Sequence, residues 1–411
     1  MQAPWKTDHW FVSPWNYEPE AVGGASFSEK ILIHDVTLRD GEQQAGVVFT
    51  KDEKVRIAEK LAEAGVHRIE AGMPAVSRED AEAVAEITKR IGTRCKVFAF
   101  CRCMKEDVDK AVDCGVSGVV VEIPASEHII RNAYKWPLNK AIDLAVEATS
   151  YAKECGLYVV FFPIDGTRAE LNWFLELINQ VATHGHMDAL GLVDTFGVLS
   201  PHAVPYFVRS VRRRVDKPLE AHFHNDFGLA TANTVLALAN GVEVAHTTVS
   251  GLGERAGNAP FEEVVLTLLT MYGVNVGVDF RKVYELSRLV RETSGQSFPS
   301  NRPIVGDMLY SIESGIISTW YRNCGQELPL ELLPFHWDLV GHKAPSVVLG
   351  KNSGIDSVRL WVERMGMSHL SEDKLQELLL AVKNASIRLH RVLTEEEFES
   401  LVKEITSIVA G

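Results

Sequence analysis

The 411-residue sequence is poor in cysteine and has no long apolar run, and each shortage excludes something. Six cysteines scattered over that length make no disulfide framework. The N-terminus mixes acidic and basic residues and shows no apolar signal core, so a soluble protein in the reducing cytoplasm is expected. The longest apolar runs, such as Gly118–Ile123 and Leu157–Pro163, are far too short to span a bilayer, and no membrane partner is expected. Positive charge is scarce too: 42 Lys and Arg against 55 Asp and Glu give a net −13. No stretch of Lys and Arg is dense enough to track phosphates, which speaks against nucleic acid. Low-complexity tracts and internal repeats do not stand out either. What is present, 46% hydrophobic and 24% charged residues, supports a sizeable core and excludes wholesale disorder.

Residues 1–28 resemble neither strand nor helix. They hold Trp5, Trp10, Phe11, Trp15 and Tyr17 among Pro4, Pro14 and Pro19, too apolar for a free tail. An ordered arm is expected, packed on the body or on a partner subunit. From residue 29 to 295 short apolar runs alternate with stretches of helical spacing. The runs are Ile31–Val36, Val66–Ala71, Lys96–Phe100, Gly118–Ile123, Leu157–Phe162, Ala189–Val193, Leu219–Phe223 and Glu243–Val249. Helices are expected at Lys51–Ala64, Arg78–Ile91, Lys105–Cys114, Ala141–Cys155, Glu170–His184, Ala203–Val215, Ala230–Asn240 and Phe261–Tyr272. Thr50 and Glu53 form a capping-box pair, and Gly65 is placed to stop the first helix. Eight such repeats in about 245 residues match a TIM (β/α)₈ barrel in count and size. A doubly wound sheet would want a glycine-rich turn after its first strand; the chain has Thr37-Leu38-Arg39-Asp40-Gly41-Glu42-Gln43 there. Beyond it, residues 296–350 carry Pro299, Pro303, Pro329, Pro334 and Pro345 and read as an irregular, extended linker or interface segment. Residues 351–411 read as an appended helical subdomain of two or three amphipathic helices.

Barrel enzymes place their chemistry at the carboxyl ends of the strands. The seventh expected strand runs into His222-Phe223-His224-Asn225-Asp226, and residues i and i+2 of a strand share a face, so both imidazoles can point to the barrel axis. Asp40, after the first strand, adds an anionic oxygen on the same rim. Asn258, in Gly251-Leu252-Gly253-Glu254-Arg255-Ala256-Gly257-Asn258, can add a neutral one. Two imidazoles, a carboxylate and an amide oxygen suit an octahedral divalent ion, Mg²⁺ or Mn²⁺, with Zn²⁺ less favoured. Arg39, beside the carboxylate, is placed to stabilise a developing enolate oxygen.

These three segments together resemble the DRE-TIM metallolyase superfamily, in its branch of 2-isopropylmalate, homocitrate and citramalate synthases. Weaker echoes are Ile69-Glu70-Ala71-Gly72-Met73-Pro74, Asp194-Thr195-Phe196-Gly197 and Leu349-Gly350-Lys351-Asn352-Ser353-Gly354. The resemblance implies a metal held by Asp40, His222, His224 and Asn258, and Arg39 polarising the reacting carbonyl. It puts Gln43 and Thr195 against a 2-oxoacid. An acyl-CoA would be deprotonated to an enolate that attacks the ketone, after which the thioester is hydrolysed. A homodimer is implied as well. Asn225-Asp226 and Glu254-Arg255 favour the synthases over a hydroxymethylglutaryl-CoA lyase.

The sequence departs from that pattern in the acyl-CoA half of the site. Where the synthases have His-Glu-Ser-Gly-Ile-His, this chain has Ile312-Glu313-Ser314-Gly315-Ile316-Ile317, and isoleucine moves no proton. The fifth strand ends Phe162-Pro163-Ile164-Asp165, without the usual glutamate, and Asn352 stands in place of a histidine. A non-standard substrate pair is therefore expected, or a carbon–carbon lyase running the related step backwards on a hydroxyacid or its thioester. Substitute proton carriers are Glu313, His336, His342, Tyr321 or Asp165. Glu70, Arg102 and His128, at the ends of the second, third and fourth strands, are further candidates for the substrate pocket. Cys101 and Cys103 are expected to be buried free thiols.

Overall fold

In the computed structural model the described residues are 3–325, 327–367 and 369–407. They fall into two compact units: Pro14–Phe298, and a second that joins the start of the chain, up to Ser13, with the stretch from Pro299 onward. Met1 and Gln2 of the expected arm, and Ser368 and residues 408–411 of the expected helical subdomain, lie outside the described residues.

The first unit is a TIM barrel. Its strands are β1 (Leu32–Asp35), β2 (Arg68–Glu70), β3 (Lys96–Arg102), β4 (Gly118–Pro124), β5 (Tyr158–Ile164), β6 (Ala189–Asp194), β7 (Leu219–Phe223) and β8 (Val244–Thr247). Each is parallel to its neighbours, and β8 closes on β1 with His34 level with His246. All eight expected strands are present. The expected helices are too, with Arg78–Ile91 and Phe261–Tyr272 matching to the residue. Thr50 and Glu53 close their capping box on helix Lys51–Glu63. Three α-helices of this unit were not anticipated, the first a single turn, Pro19–Val22, in residues expected to be neither strand nor helix. Glu127–Asn132 is a single short excursion after β4, and Val283–Ser294 carries the helical rhythm past residue 275 with Val283, Leu286 and Val290 buried on one face.

The barrel interior has two chemically different sides. Phe98, Phe100, Val120, Val160, Phe162, Ala189 and Val193, from β3 to β6, form one apolar cluster. Each large apolar side chain buried there contributes roughly 1.5–3 kcal/mol. From β1, β2, β7 and β8 come His34, Glu70, Glu220, His222 and His246 instead, all buried.

In the second unit, Trp10 bridges to Phe335, Phe11 N–H donates to Pro334 O (2.9 Å) and His336 N–H to His9 O (2.7 Å). The aromatic start of the chain is ordered by these backbone bonds up to Ser13, whereas Tyr17 belongs to the barrel unit and donates to Thr270 O (2.7 Å). Residues 296–350 are less irregular than expected. Ser311–Ile312 pairs in parallel with Ser346–Val347, and Gly315–Cys324 is a helix. Three helices follow, Ile355–Arg364, Glu372–Leu389 and Glu395–Ser407, around Val358, Val362, Leu375, Leu378, Val382 and Phe398. Among the described residues no helix is long and apolar enough to cross a membrane.

Candidate metal centre and active site

After β1 the chain turns sharply: the amides of Arg39, Asp40 and Gly41 all donate to Val36 O (3.2, 2.9 and 3.1 Å). The turn delivers Arg39 and Asp40 to the carboxyl-terminal mouth of the barrel, where β7 delivers His222 and, one step beyond its end, His224. Asp40 Oδ2 stands 3.3 Å from His222 Nε2 and 3.6 Å from His224 Nε2, and the two nitrogens are 3.3 Å apart. Donors about 2.1 Å from an octahedral ion, at right angles to each other, stand about 3 Å apart, so this triangle is close to the size such an ion needs. Asn258 donates from Nδ2 to Asp40 Oδ1 (2.9 Å), and its buried Oδ1 has no hydrogen-bond partner. That orphaned oxygen and the converging lone pairs fit a bound divalent cation. The loop carrying Asn258 depends on glycine: at Gly253 (φ +151°) a Cβ would run into Asn258 Nδ2 and the Asp40 carboxylate.

Electrostatics leave these groups in states that could hold a cation. Burial alone would raise the Asp40 carboxyl, but Arg39, His222 and His224 outweigh it and hold it well below the usual carboxylate range. Burial drives the His222 imidazole down to about 3, so it stays neutral. Burial of Glu220 is outweighed by its bond to His246 and by Arg68, which hold it at about 2. An ionised Glu220 only accepts hydrogen bonds, and Glu220 Oε2 is 2.7 Å from His246 Nε2. His246 therefore donates from Nε2, and in its neutral form has a bare Nδ1, which lies 3.3 Å from His222 Nδ1. His222 must then be the donor in that contact, which leaves its Nε2 bare and facing Asp40. The chain from Glu220 through His246 thus fixes the tautomer of His222.

Arg39 is gripped from behind. Its Nε donates to Glu70, Nη1 to Asp40 Oδ2 (3.0 Å) and Gln43 Oε1 (3.4 Å), and its guanidinium lies over the Phe100 ring at 4.0 Å. Nη2 is buried without a hydrogen-bond partner. Arg39, Asp40, His222 and His224 line a cavity of about 220 Å³ together with Gln43, Thr195, Arg102, Glu122, Glu254 and an apolar wall that includes Phe100, Phe162, Ile164 and Val193.

The structure thus brings most of the expected site residues together at this cavity, and two of the pocket candidates, Glu70 and His128, are corrected. Glu70 does not line it; the carboxylate is fully buried, and burial, which would raise it, is outweighed by Arg39 together with His34 and His246, which hold it at about 2. His128 does not line it either: its ring turns to Ser126 Oγ (3.1 Å) and Asp165 Oδ2 (3.5 Å) at the rim. Arg102 lines the cavity but spends Nε and Nη2 on Asp107 (2.8 Å each). Thr195 accepts from Asp165 N–H (2.8 Å), and Asp165 is clamped by Arg168 (2.6 and 2.9 Å). Glu313 belongs to the second unit, where its Oε1 accepts from Asn352 N–H (3.0 Å). Ile312 and Ile317 line a small apolar cavity there with Tyr321, Leu332 and Leu333.

Known proteins resemble this chain in sequence and fold. The model of the HMGL-like family matches residues 30–290. The chain belongs to the HMGL-like family. It is 36% identical to the homocitrate synthase of Methanothermobacter thermautotrophicus over 96% of this chain and 98% of that one. It is 34% identical to the 2-isopropylmalate synthase of Methanocaldococcus jannaschii over 95% of this chain and 74% of that one. Among solved structures, hydroxymethylglutaryl-CoA lyase of Bacillus subtilis superposes with a TM-score of 0.60 at 22% identity, covering 66% of this chain and 96% of that one. That last likeness concerns the fold.

Against its family motifs, this member shows residues that sequence reasoning missed: Glu122 in the cavity wall, and Glu220, His246 and His34 beneath it. His34 stacks on His246 (4.4 Å between centroids), and its ring nitrogens lie 3.6 Å from Glu70 and 3.8 Å from Glu220. The three groups His34, Glu220 and His246 stand close enough to be a second metal cluster. The stacked rings argue against one, because lone pairs lie in the ring planes and parallel rings do not converge on an ion.

Proposed function

We propose that the protein joins an acyl-CoA to a 2-oxoacid in a divalent-metal-dependent Claisen-type condensation, with Mg²⁺ or Mn²⁺ favoured over Zn²⁺ because two imidazoles and two oxygens leave places for substrate or water oxygens in an octahedral shell. The observation that carries this reading is the convergence of Asp40, His222 and His224 beside Arg39 at the mouth of one cavity. Asp40, His222, His224 and Asn258 hold the metal, which when bound supplies a Lewis acid for the oxygens of the 2-oxoacid. Arg39 turns its unpartnered Nη2 toward the oxygen that gains charge during the attack. Glu70 and Phe100 keep that guanidinium from swinging away. Gln43 and Thr195 bind the 2-oxoacid, while Phe100, Phe162, Ile164 and Val193 exclude water from the reacting carbons. Family membership and the names of the full-length relatives support synthesis as the direction. The changes at Ile164, Ile312 and Ile317 support a substrate pair other than the usual ones. We place the reaction in the cytoplasm, which suits six free thiols, and in a homodimer.

The test is thiol release from a panel of acyl-CoAs with a panel of 2-oxoacids, with Mg²⁺, with Mn²⁺ and with chelator. Chelator-sensitive release that depends on one 2-oxoacid is the expected result and names the substrates. No release with any pair, in protein that binds metal, overturns the synthase reading and turns attention to hydroxyacid cleavage.

A further inference from the structure

We infer that Glu122 is the acid–base residue of this active site, an assignment that rests on the condensation proposed above. Such a condensation must remove a proton from the acyl α-carbon and deliver one to the new alkoxide. The positions at which the resemblance expects proton carriers are Ile164, Ile312 and Ile317, and none of these side chains can accept a proton.

The carboxylates that line the cavity are Asp40, Glu122 and Glu254. Asp40 is committed to Arg39, Asn258 and the two imidazoles. Glu254 is 57% exposed and faces Arg255 at 3.6 Å. Asp165 is clamped by Arg168 and lies outside the lining. Glu122 alone of these is half-buried in the wall with a carboxylate that makes no hydrogen bond or ion pair to another described residue.

Strand register places it where the chemistry needs it. Arg102, Glu122 and Phe162 are level across β3, β4 and β5, and all three line the cavity. Ile164 is paired with Pro124, one inward position nearer the mouth. Glu122 thus stands on the strand next to the vacated glutamate position and one inward step deeper. Burial raises its pKa while Arg39 and Arg102 pull it down, a balance that lets one carboxyl both take and return a proton.

The step balances. Glu122 takes a proton from the acyl α-carbon, and the C–H electron pair becomes the enolate. The enolate carbon bonds to the ketone carbon, and the carbonyl π pair moves to oxygen, where Arg39 meets the charge. Glu122 then returns its proton to that alkoxide and is ionised again. Water hydrolyses the thioester afterwards.

The test compares wild-type enzyme with Glu122→Gln and Glu122→Asp, all loaded with Mn²⁺, on the substrate pair found by thiol release. It also follows deuterium uptake into the acyl group in D₂O. Glu122→Gln is expected to lose kcat by about 10²–10⁴-fold, to lose deuterium uptake, and to keep Mn²⁺ stoichiometry and the KM of the 2-oxoacid; Glu122→Asp regains part of the rate. Retained kcat, retained deuterium uptake, or a raised KM with unchanged kcat would each overturn the assignment, the last by making Glu122 a specificity residue. An active wild type with an active Glu122→Gln sinks the assignment alone, whereas a wild type silent with every pair sinks the condensation reading and the assignment with it.

Discussion

His246 does not reach the cavity, yet His246→Phe is expected to weaken divalent-metal binding. Phenylalanine keeps the ring stacked on His34 and beside Phe162, so the perturbation is the loss of one acceptor for His222 and one donor to Glu220. In the variant without metal, His222 escapes by moving its proton to Nε2, where Asp40 Oδ2 accepts it at 3.3 Å. Metal binding forces the proton back to Nδ1, now a buried N–H with no acceptor. Leaving such a donor unsatisfied costs about 1–3 kcal/mol, which converts to a loss in metal affinity of about 5- to 150-fold. Glu220 still holds Arg68 at 2.7 Å, so the fold is expected to survive, with a thermal melt as the control. Free Mn²⁺ measured by electron paramagnetic resonance during titration gives the affinity. A folded variant that binds Mn²⁺ within a factor of about two of wild type would refute the tautomer argument and reduce His246 to packing.

Asp40→Asn should lose bound metal and thiol release together, and full Mn²⁺ stoichiometry in that variant would remove Asp40 from the ligand set. Arg39→Ala should keep the metal and lower kcat by about 10²–10³-fold, and an unimpaired variant would take Arg39 out of the mechanism. Metal-free protein should lose stability as pH falls below about 6.5. Burial lowers His34 from 6.5 to about 4 and His222 to about 3, so the unfolded chain binds protons that the folded chain refuses. For His34 alone this is worth about 3 kcal/mol once pH reaches the folded value. Asp35, raised by burial to about 7, opposes the trend over the same window, but the two histidines together outweigh it. Urea midpoints that stay level from pH 7 to 5 would contradict the assignment of neutral buried imidazoles.

The barrel was legible because its signals are local and repeated. Each strand is a short β-branched or aromatic run, each helix has its own apolar spacing, and the Thr50–Glu53 box marks a helix start within four residues. The convergence of Asp40, His222 and His224 was legible for a similar reason: His222 and His224 share a strand face by parity, and Asp40 follows a strand end. Helix Gly315–Cys324 was missed because the prolines of residues 296–350 drew attention, although none falls between Pro303 and Pro329. Glu70 and His128 were placed at the pocket wall from strand ends alone, which fix where a backbone stops but not what captures the side chain. Glu122 sat unnoticed in a valine run, and only the register with Arg102 and Phe162 reveals that it faces inward.

On the polar side of the barrel interior, His34, Glu220 and His246 were not legible, and the composition of that side bears on function. His34 and His246 are 212 residues apart and meet only because β8 pairs with β1. Filling these positions with apolar side chains would cost nothing in hydrogen bonds and would generally be at least as stable as buried ion pairs. The chain instead buries Asp40, Glu70 and Glu220 against Arg39 and Arg68, so three carboxylates face two guanidiniums. The set carries one more negative charge than positive, and Asp40 is its carboxylate at the mouth. A divalent cation there more than neutralises it, and the surplus positive charge falls where an oxyanion would form. Glu70 holds Arg39 and Glu220 orders His222, so two of the three buried carboxylates act on the cavity through a neighbour. On β4, in the half of the barrel that holds the apolar cluster, Glu122 lines the same cavity as Arg39 and Asp40. A proton carrier placed in one cavity with an oxyanion-stabilising arginine can both create the enolate and quench the alkoxide, which is why the division of the barrel interior, rather than any single residue, argues for condensation chemistry.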